Sequence, residues 1–324
     1  MIFTKDNFEM LTKNYIPVDC AIRSKDRLAF VFVDPAPDEN EARKSRFVFF
    51  NLAKPVGNNF FMKAYSGFDF PRVAATPVRN MDTVVLDING YVYSYEEDLE
   101  DELPDDVDDS RPVPECIERI GEHLYAVGRV RRMYRRDGVN QWTDMTEDLP
   151  LPEGYQEMGG EFVNFEWKDV SGFSESDIYA VGGLGDVWHF NGTDWRQCDF
   201  PSNELLNNVC CAADGKVYIG GNLGRLWVGK DDAWECVSEH KFTMAWKDIA
   251  YFQKTLYLGS DYGLWVYKGG AIELADVPAQ VQLCAGSGVD VNFEGDLMLV
   301  AGQNGASMFD GQTWEVLFDR AELL

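Results

Sequence analysis

Hydrophobic and polar positions alternate along this chain in a pattern that repeats every 39 residues. Tyr179, Tyr218 and Tyr257 each stand at the start of one copy, and the spacing between them is constant. The turn glycines keep the same interval, at Gly185, Gly224 and Gly263. Strict alternation over short segments predicts half-buried β-strands, so the pattern indicates a repeated group of strands.

The clearest copy shows how one repeat is built. It predicts a strand over 178–181, a glycine turn over 182–185 and a second strand over 187–190. Asn191-Gly192 follows, and this dipeptide between two apolar segments is a strong signal for a two-residue hairpin. Trp195 then opens the next strand.

A period of about 40 residues that is rich in aromatic, β-branched and glycine residues is typical of a propeller blade. We therefore predict an all-β, single-domain, seven-bladed β-propeller of four-stranded antiparallel blades over residues 1–324. The blades are expected at 15–52, 58–95, 111–146, 160–200, 203–240, 242–279 and 281–320. Insertions at 96–109 and 143–166 interrupt the period.

The composition narrows the classes of partner. The formal net charge is −26, which repels nucleic acid and anionic membranes and attracts basic proteins. The sequence has no apolar segment of membrane-spanning length and no visible signal peptide, so we expect a cytoplasmic protein. The seven cysteines form no CxxC pair, which favours reduced structural thiols and predicts neither a metal site nor a cofactor.

One copy resembles the repeats of many bacterial β-propellers. The residues that match are Asp177, Ile178, Tyr179, Ala180, Val181, Gly182, Gly185, Val187, His189, Phe190, Asn191, Gly192 and Trp195. The acidic, cytosolic, stand-alone character of the chain is also similar to that of immunity proteins that accompany secreted polymorphic toxins. The resemblance to propeller repeats implies that His189 is a scaffold residue. The tryptophans recur at fixed positions of the repeat, which predicts that they pack between blades.

The candidate site lies where the repeat is broken. Residues 96–109 include ten acidic residues out of fourteen, a composition that predicts a mobile loop. The densest basic stretch follows in the third blade, where strand alternation would put Arg129 and Arg131 on one face and Arg132 on the other. The predicted partner-binding residues are Glu96, Glu97, Asp98, Glu100, Asp101, Glu102, Asp105, Asp106, Asp108, Asp109, Arg129, Arg131, Arg132, Arg135 and Arg136. Either the acidic loop folds back onto the arginines, or the arginines hold an acidic ligand while the loop meets a basic partner.

Three functions remain open at this stage. The favoured one is a non-catalytic immunity protein that occludes a basic toxin, for example a nuclease, through the acidic loop. The second is a sialidase- or glycosidase-like enzyme, which would need either inward-facing Arg, Glu and Tyr around the central tunnel or a pair of carboxylates close together there. The third is a carbohydrate- or small-ligand-binding module with aromatic residues as its platform: Phe60, Phe61, Phe68 and Phe70.

Overall fold

The computed structural model describes residues 1–36, 42–77, 83–104, 113–149, 165–238 and 242–324. The predicted site residues Asp105, Asp106, Asp108 and Asp109 lie outside the described residues. Among the helices in the described part, none is long and apolar enough to span a membrane.

The strands form seven four-stranded antiparallel sheets arranged as a β-propeller, which confirms the predicted fold class. Blades 1 to 3 contain β1 (Ile16–Ser24), β2 (Arg27–Val33), β3 (Lys44–Asn51), β4 (Phe60–Ser66); β5 (Arg72–Ala75), β6 (Thr83–Leu86), β7 (Tyr91–Ser94), β8 (Leu99–Glu102); and β9 (Pro114–Ile120), β10 (His123–Gly128), β11 (Met133–Gly138), β12 (Gln141–Asp144).

Blades 4 to 7 follow in the same order. They contain β13 (Trp167–Ser174), β14 (Asp177–Gly182), β15 (Asp186–Phe190), β16 (Trp195–Gln197); β17 (Leu206–Cys211), β18 (Val217–Gly221), β19 (Leu226–Lys230), β20 (Ala233–Cys236); β21 (Asp248–Phe252), β22 (Thr255–Ser260), β23 (Gly263–Lys268), β24 (Ala271–Leu274); and β25 (Gly288–Val291), β26 (Met298–Gly302), β27 (Gly305–Phe309), β28 (Trp314–Asp319). The described residues also form three short α-helices, α1 (Lys5–Thr12), α2 (Ala279–Cys284) and α3 (Arg320–Leu323), and two 3-10 turns, Arg129–Arg131 and Asn222–Gly224.

The first strand of each blade lines a central tunnel, and the fourth forms the outer rim. Because neighbouring strands are antiparallel, the turns between second and third strands lie at the same end of the ring as the connections between blades. We call this end, where the first strands begin, the entry face. The opposite end, with the remaining turns, is the exit face.

Tryptophans at recurring positions pack the blades together. In blade 4, Trp167 is fully buried, and its ring lies 4.9 Å from that of Trp195 and 6.3 Å from that of Trp188. The Nε1 of Trp195 donates to the carbonyl of Met145 at 3.0 Å, across to the end of blade 3. His189 stacks on Tyr179 with ring centres 4.4 Å apart, which gives it the scaffold role expected from its place in the repeat.

The N-terminal segment covers the junction where the ring closes. The amide of Ile2 donates to the carbonyl of Leu317 in β28 at 2.6 Å. Phe3 then packs edge-on against Phe50 of blade 1 and Phe318 of blade 7. Every sheet consists of four consecutive strands, so the two ends of the chain share no blade, and the ring is closed by this backbone hydrogen bond together with side-chain packing.

The first two blades differ from the prediction by one strand. Phe60–Ser66 pairs with β3 and completes blade 1, although the sequence placed it at the start of blade 2. Blade 2 takes its fourth strand from Leu99–Glu102, inside the stretch predicted to be a mobile loop. An outer strand has one sheet neighbour and much solvent contact, so it tolerates charged residues that look unlike a strand in the sequence.

Candidate functional site

The acidic segment, which we define as residues 96–102, is an ordered outer strand with the turn that precedes it. In β8 the side chains alternate: Glu100 and Glu102 are exposed, whereas Asp101 is buried. The prediction of a mobile loop is therefore wrong for this stretch. β8 pairs regularly with β7, which satisfies the backbone groups on that side of the strand.

Blade 1 contacts the turn and the side of β8 that faces it. The Nζ of Lys63 lies 2.7 Å from Oδ1 of Asp98, and the hydroxyl of Tyr65 donates to Glu100 at 2.8 Å. Arg23 pairs with Glu96 at the exit face. These contacts leave the carboxylates in contact with solvent while fixing where they are displayed.

Blade 3 contacts the opposite side of β8 through a buried ion pair. Nη1 of Arg136 lies 3.3 Å from Oδ2 of Asp101, and both side chains are almost fully buried. The guanidinium also donates to Oγ of Ser94 at 2.6 Å and lies over the ring of Trp142. The same Asp101 oxygen accepts from the amide of Asn140 at 2.7 Å. The predicted fold-back of acidic residues onto the arginines is thus found for this pair.

The first three arginines of the basic stretch do not lie on strands. Arg129–Arg131 form a tight turn at the entry face, in which Val130 and Arg131 take φ values of 60° and 59°. The predicted sharing of a strand face by Arg129 and Arg131 is wrong, because this left-handed turn replaces strand geometry. Arg132 follows the turn, is buried, and donates to the carbonyl of Thr146 at 2.9 Å.

Arg131 bridges blades 3 and 4. Its Nε and Nη2 donate to the two oxygens of Asp186 at 2.8 and 2.9 Å, and its guanidinium lies over the ring of Trp188. Asp186 also accepts from the Nε1 of Trp188 at 2.9 Å. A bidentate, stacked and largely buried arginine of this kind is a structural connector.

Arg129 and Arg135 are more exposed and also have acidic neighbours. Nε of Arg129 lies 3.6 Å from Glu166, and Nε of Arg135 lies 2.7 Å from Asp137. Of the five arginines, Arg136 alone is seen to meet the acidic segment within the described residues. Asp101, Arg132 and Arg136 are buried, so they do not offer a surface to a partner, and the pair of Asp101 and Arg136 positions the segment.

The four phenylalanines proposed as a ligand platform do not form one surface. Phe68 is buried in the core between blades 1 and 2, and Phe60 packs against the core at the ring closure. Phe61 and Phe70 are exposed. Phe61 lies on β4 beside the ring of Tyr95, whereas Phe70 lies in the connection between blades.

Carboxylates do converge in the tunnel, a feature that the sequence interpretation left open. Five first strands contribute to two adjoining cavities of about 260 and 280 Å³ with these side chains: Asp19, Glu118, Asp169, Asp248 and Asp290. The two carboxylate oxygens accept the same pair of hydrogen bonds in Asp19, Asp169 and Asp248. Each aspartate accepts from the amide of its own following residue and from a first-strand amide of the next blade.

This arrangement makes the aspartates connectors between blades. Asp169, for example, accepts from the amide of Val170 at 2.8 Å and from that of Val209 at 2.7 Å. Burial raises the pKa of Asp169 to about 7 and that of Asp290 to about 6. Burial, together with the carboxylates of Asp169 and Asp248, also raises the pKa of Glu118 well above its usual range. Oxygens engaged with the backbone are poorly placed to act as a nucleophile or a base on a sugar.

The sequence carried a signal for these connectors. Trp167-Lys168-Asp169-Val170 and Trp246-Lys247-Asp248-Ile249 are 79 residues apart, about two blades. The aspartate holds the same place in both copies, at the start of a tunnel strand. Because a polar residue recurs at a predicted tunnel position, the sequence could have predicted this cluster of carboxylates.

The fold and the site define a seven-bladed β-propeller whose inner carboxylates and third-blade arginines hold blades together. No family model matches the chain. It is 32% identical over 200 residues to the immune protein Tsi7 of Pseudomonas aeruginosa PAO1, an alignment that covers 61% of this chain and 61% of that protein.

Solved structures agree on the fold. YCF48 bound to a D1 peptide superposes with a TM-score of 0.61 at 14% identity over 95% of this chain and 94% of that one. The WD40 propeller domain of Doa1 gives 0.61 at 10% identity over 93% and 94%. At such low identity these likenesses establish architecture only.

Proposed function

We propose that this protein is an immunity protein that binds a basic protein toxin and blocks it without catalysing a reaction. The observation that carries the proposal is the 32% identity over 200 residues to a protein named as an immune protein. The fold supports it, because a propeller offers two broad faces and a rim on a rigid ring. A net charge of −26 further favours a basic partner.

The acidic segment is the part of the rim that we assign to long-range attraction. It keeps Glu96, Asp98, Glu100 and Glu102 exposed on a framework that blades 1 and 3 fix in place. Fixed charges of one sign raise the rate at which an oppositely charged protein arrives, and salt weakens this effect. A nuclease is one class of toxin that suits such a surface, because its substrate-binding groove is basic.

The first test is co-expression. Each candidate toxin encoded beside this gene is produced in a sensitive bacterium, with and without this chain, and growth is measured. The proposal expects one toxin whose killing is abolished by this chain and with which it forms a complex of defined stoichiometry. If none of the candidates is neutralised or bound, the proposal is wrong. Degradation of DNA or RNA by the isolated toxin then decides whether it is a nuclease.

The second test addresses the acidic segment. The variant Glu96→Gln/Asp98→Asn/Glu100→Gln/Glu102→Gln is expected to reduce the association rate constant about tenfold in 50 mM salt and far less in 500 mM. The matched control, with the same change in net charge on other outer strands and turns, is Asp194→Asn/Glu235→Gln/Glu273→Gln/Glu315→Gln. Equal effects of the two variants would show that only total charge matters and would remove the segment from the site.

A further inference from the structure

Three neighbouring blades expose an apolar side chain at the same position of the repeat. Leu184, Leu223 and Tyr262 are 39 residues apart and occupy the turns between the second and third strands of blades 4, 5 and 6. Their exposed fractions are 47%, 59% and 75%. All three turns belong to the entry face, so the side chains emerge from one side of the ring.

Contacts between neighbouring blades bring together the turns that carry these side chains. Leu184 forms an isolated bridge with Leu205, and the carbonyl of Leu205 accepts from the amide of Asn222 at 3.1 Å. On the other side of Leu223, Gly224 lies directly against Phe242, whose ring packs edge-on against Trp265 of blade 6. We define the apolar arc by five residues: Leu184, Leu205, Leu223, Phe242 and Tyr262.

The arc is not explained by the stability of the propeller. Leu223 has a φ of 57°, a left-handed conformation that glycine or asparagine adopts at lower cost. Its side chain contributes little to the free energy of folding because more than half of its surface stays exposed. In blade 3 the equivalent Val130 takes the same conformation but is buried, and blade 7 has the exposed polar pair Gln303-Asn304. Strain that supports an exposed apolar side chain points to a contact with another molecule.

The charged residues around the arc indicate whether it binds a second copy of this chain or a different protein. An exposed carboxylate, Asp276, lies in the entry-face connection that leaves blade 6. The basic side chains beside the arc are paired, Arg225 with Glu204 and Lys247 with Asp261. Two copies of a chain with a net charge of −26 would repel each other across such a surface.

We propose that the apolar arc on the entry face of blades 4 to 6 is the contact surface for a basic protein with an apolar centre to its binding patch. This inference rests on the proposed immunity function and deepens it. The arc supplies the contacts that keep the complex together, while the acidic segment on blade 2 speeds its formation. Apolar anchors surrounded by charge are the usual arrangement at such interfaces.

The test uses the toxin that the intact chain neutralises in the co-expression experiment. The variant Leu184→Ser/Leu223→Asn/Tyr262→Ser removes the exposed anchors, and asparagine suits the left-handed position. The control Met10→Ser/Val56→Ser/Phe293→Ser removes three exposed apolar side chains that lie away from the arc, on α1 and in exit-face turns of blades 1 and 7. Circular dichroism and thermal melting verify that both variants fold like the parent.

We expect the arc variant to raise the Kd at least a hundredfold, equivalent to about 2.7 kcal/mol, mainly through faster dissociation, with little change in salt dependence. The control should stay within about twofold of the parent. If both variants bind like the parent while neutralisation persists, the arc is not the contact surface, although the immunity function stands. A parent dimer in sedimentation that the arc variant loses would assign the arc to a second copy and overturn the inference. Failure to find any neutralised toxin overturns the immunity function and this inference with it.

Discussion

The buried pair of Asp101 and Arg136 allows a sharp test of how the acidic segment is held. The change Asp101→Ala leaves a guanidinium that is about 1% exposed with no counter-charge. It also removes the acceptor of the Asn140 amide. Removing one partner of a buried ion pair costs about 3–5 kcal/mol, because the remaining charge stays out of water. We expect the free energy of unfolding to fall by that amount.

The neighbouring residue provides the matched control. Glu100 stands on the same strand with its side chain on the exposed side, where it accepts from the hydroxyl of Tyr65. The change Glu100→Ala should cost less than about 1 kcal/mol, since an exposed polar contact contributes little. Both free energies are measured by urea unfolding, followed by tryptophan fluorescence and by far-ultraviolet circular dichroism, with coincident curves required for the comparison.

Replacing both members of the pair tests whether Asp101 and Arg136 depend on each other. Asp101→Leu combined with Arg136→Met replaces the pair by apolar side chains, and buried pairs replaced in this way lose little stability. We therefore expect the double variant to be at least about 2 kcal/mol more stable than the sum of the two single changes predicts. Two results would refute the view that this pair anchors the segment. One is an Asp101→Ala variant as stable as Glu100→Ala, and the other is a double variant whose loss of stability equals the sum of the losses of its two single changes.

Three further predictions concern the tunnel, the bridge between blades 3 and 4, and the thiols. Raised carboxyl pKa values mean that the folded state holds protons more tightly than the unfolded state, so this contribution to stability is present at low pH and is lost as the pH rises through about 6 to 7. Glu118→Gln should therefore raise the free energy of unfolding more at pH 8 than at pH 4, as measured by urea unfolding at both pH values; an equal effect at both would contradict the raised pKa. Arg131→Lys cannot keep both bonds to Asp186 and should cost about 2 kcal/mol in the same assay, with a loss below about 0.5 kcal/mol counting against the bridge. Burial raises the pKa of Cys198 to about 12, so at pH 8 mass spectrometry should find its thiol alkylated by iodoacetamide only after unfolding; rapid labelling of the native protein would contradict this.

The sequence by itself determined the repeated architecture. The 39-residue interval, the turn glycines and Asn191-Gly192 are local signals, because strand alternation and turn chemistry depend on residues close together in the chain. They identified the seven blades, and the resemblance of one copy to known propeller repeats implied that His189 belongs to the scaffold. The same signals failed at Leu99–Glu102, where an outer strand needs no apolar pattern.

The tertiary structure alone decided which charged groups meet. With 55 acidic and 29 basic residues, each arginine has many possible partners along the chain. Arg136 reaches Asp101 and Arg131 reaches Asp186 because neighbouring blades face each other at fixed positions, 35 and 55 residues apart. The apolar arc has the same origin: Leu184, Leu223 and Tyr262 are separated by whole repeats in the sequence, and the packing of blades around the ring brings them to one face with Leu205 and Phe242 between them. Such contacts depend on how the sheets stack and twist, which no local pattern of residues encodes.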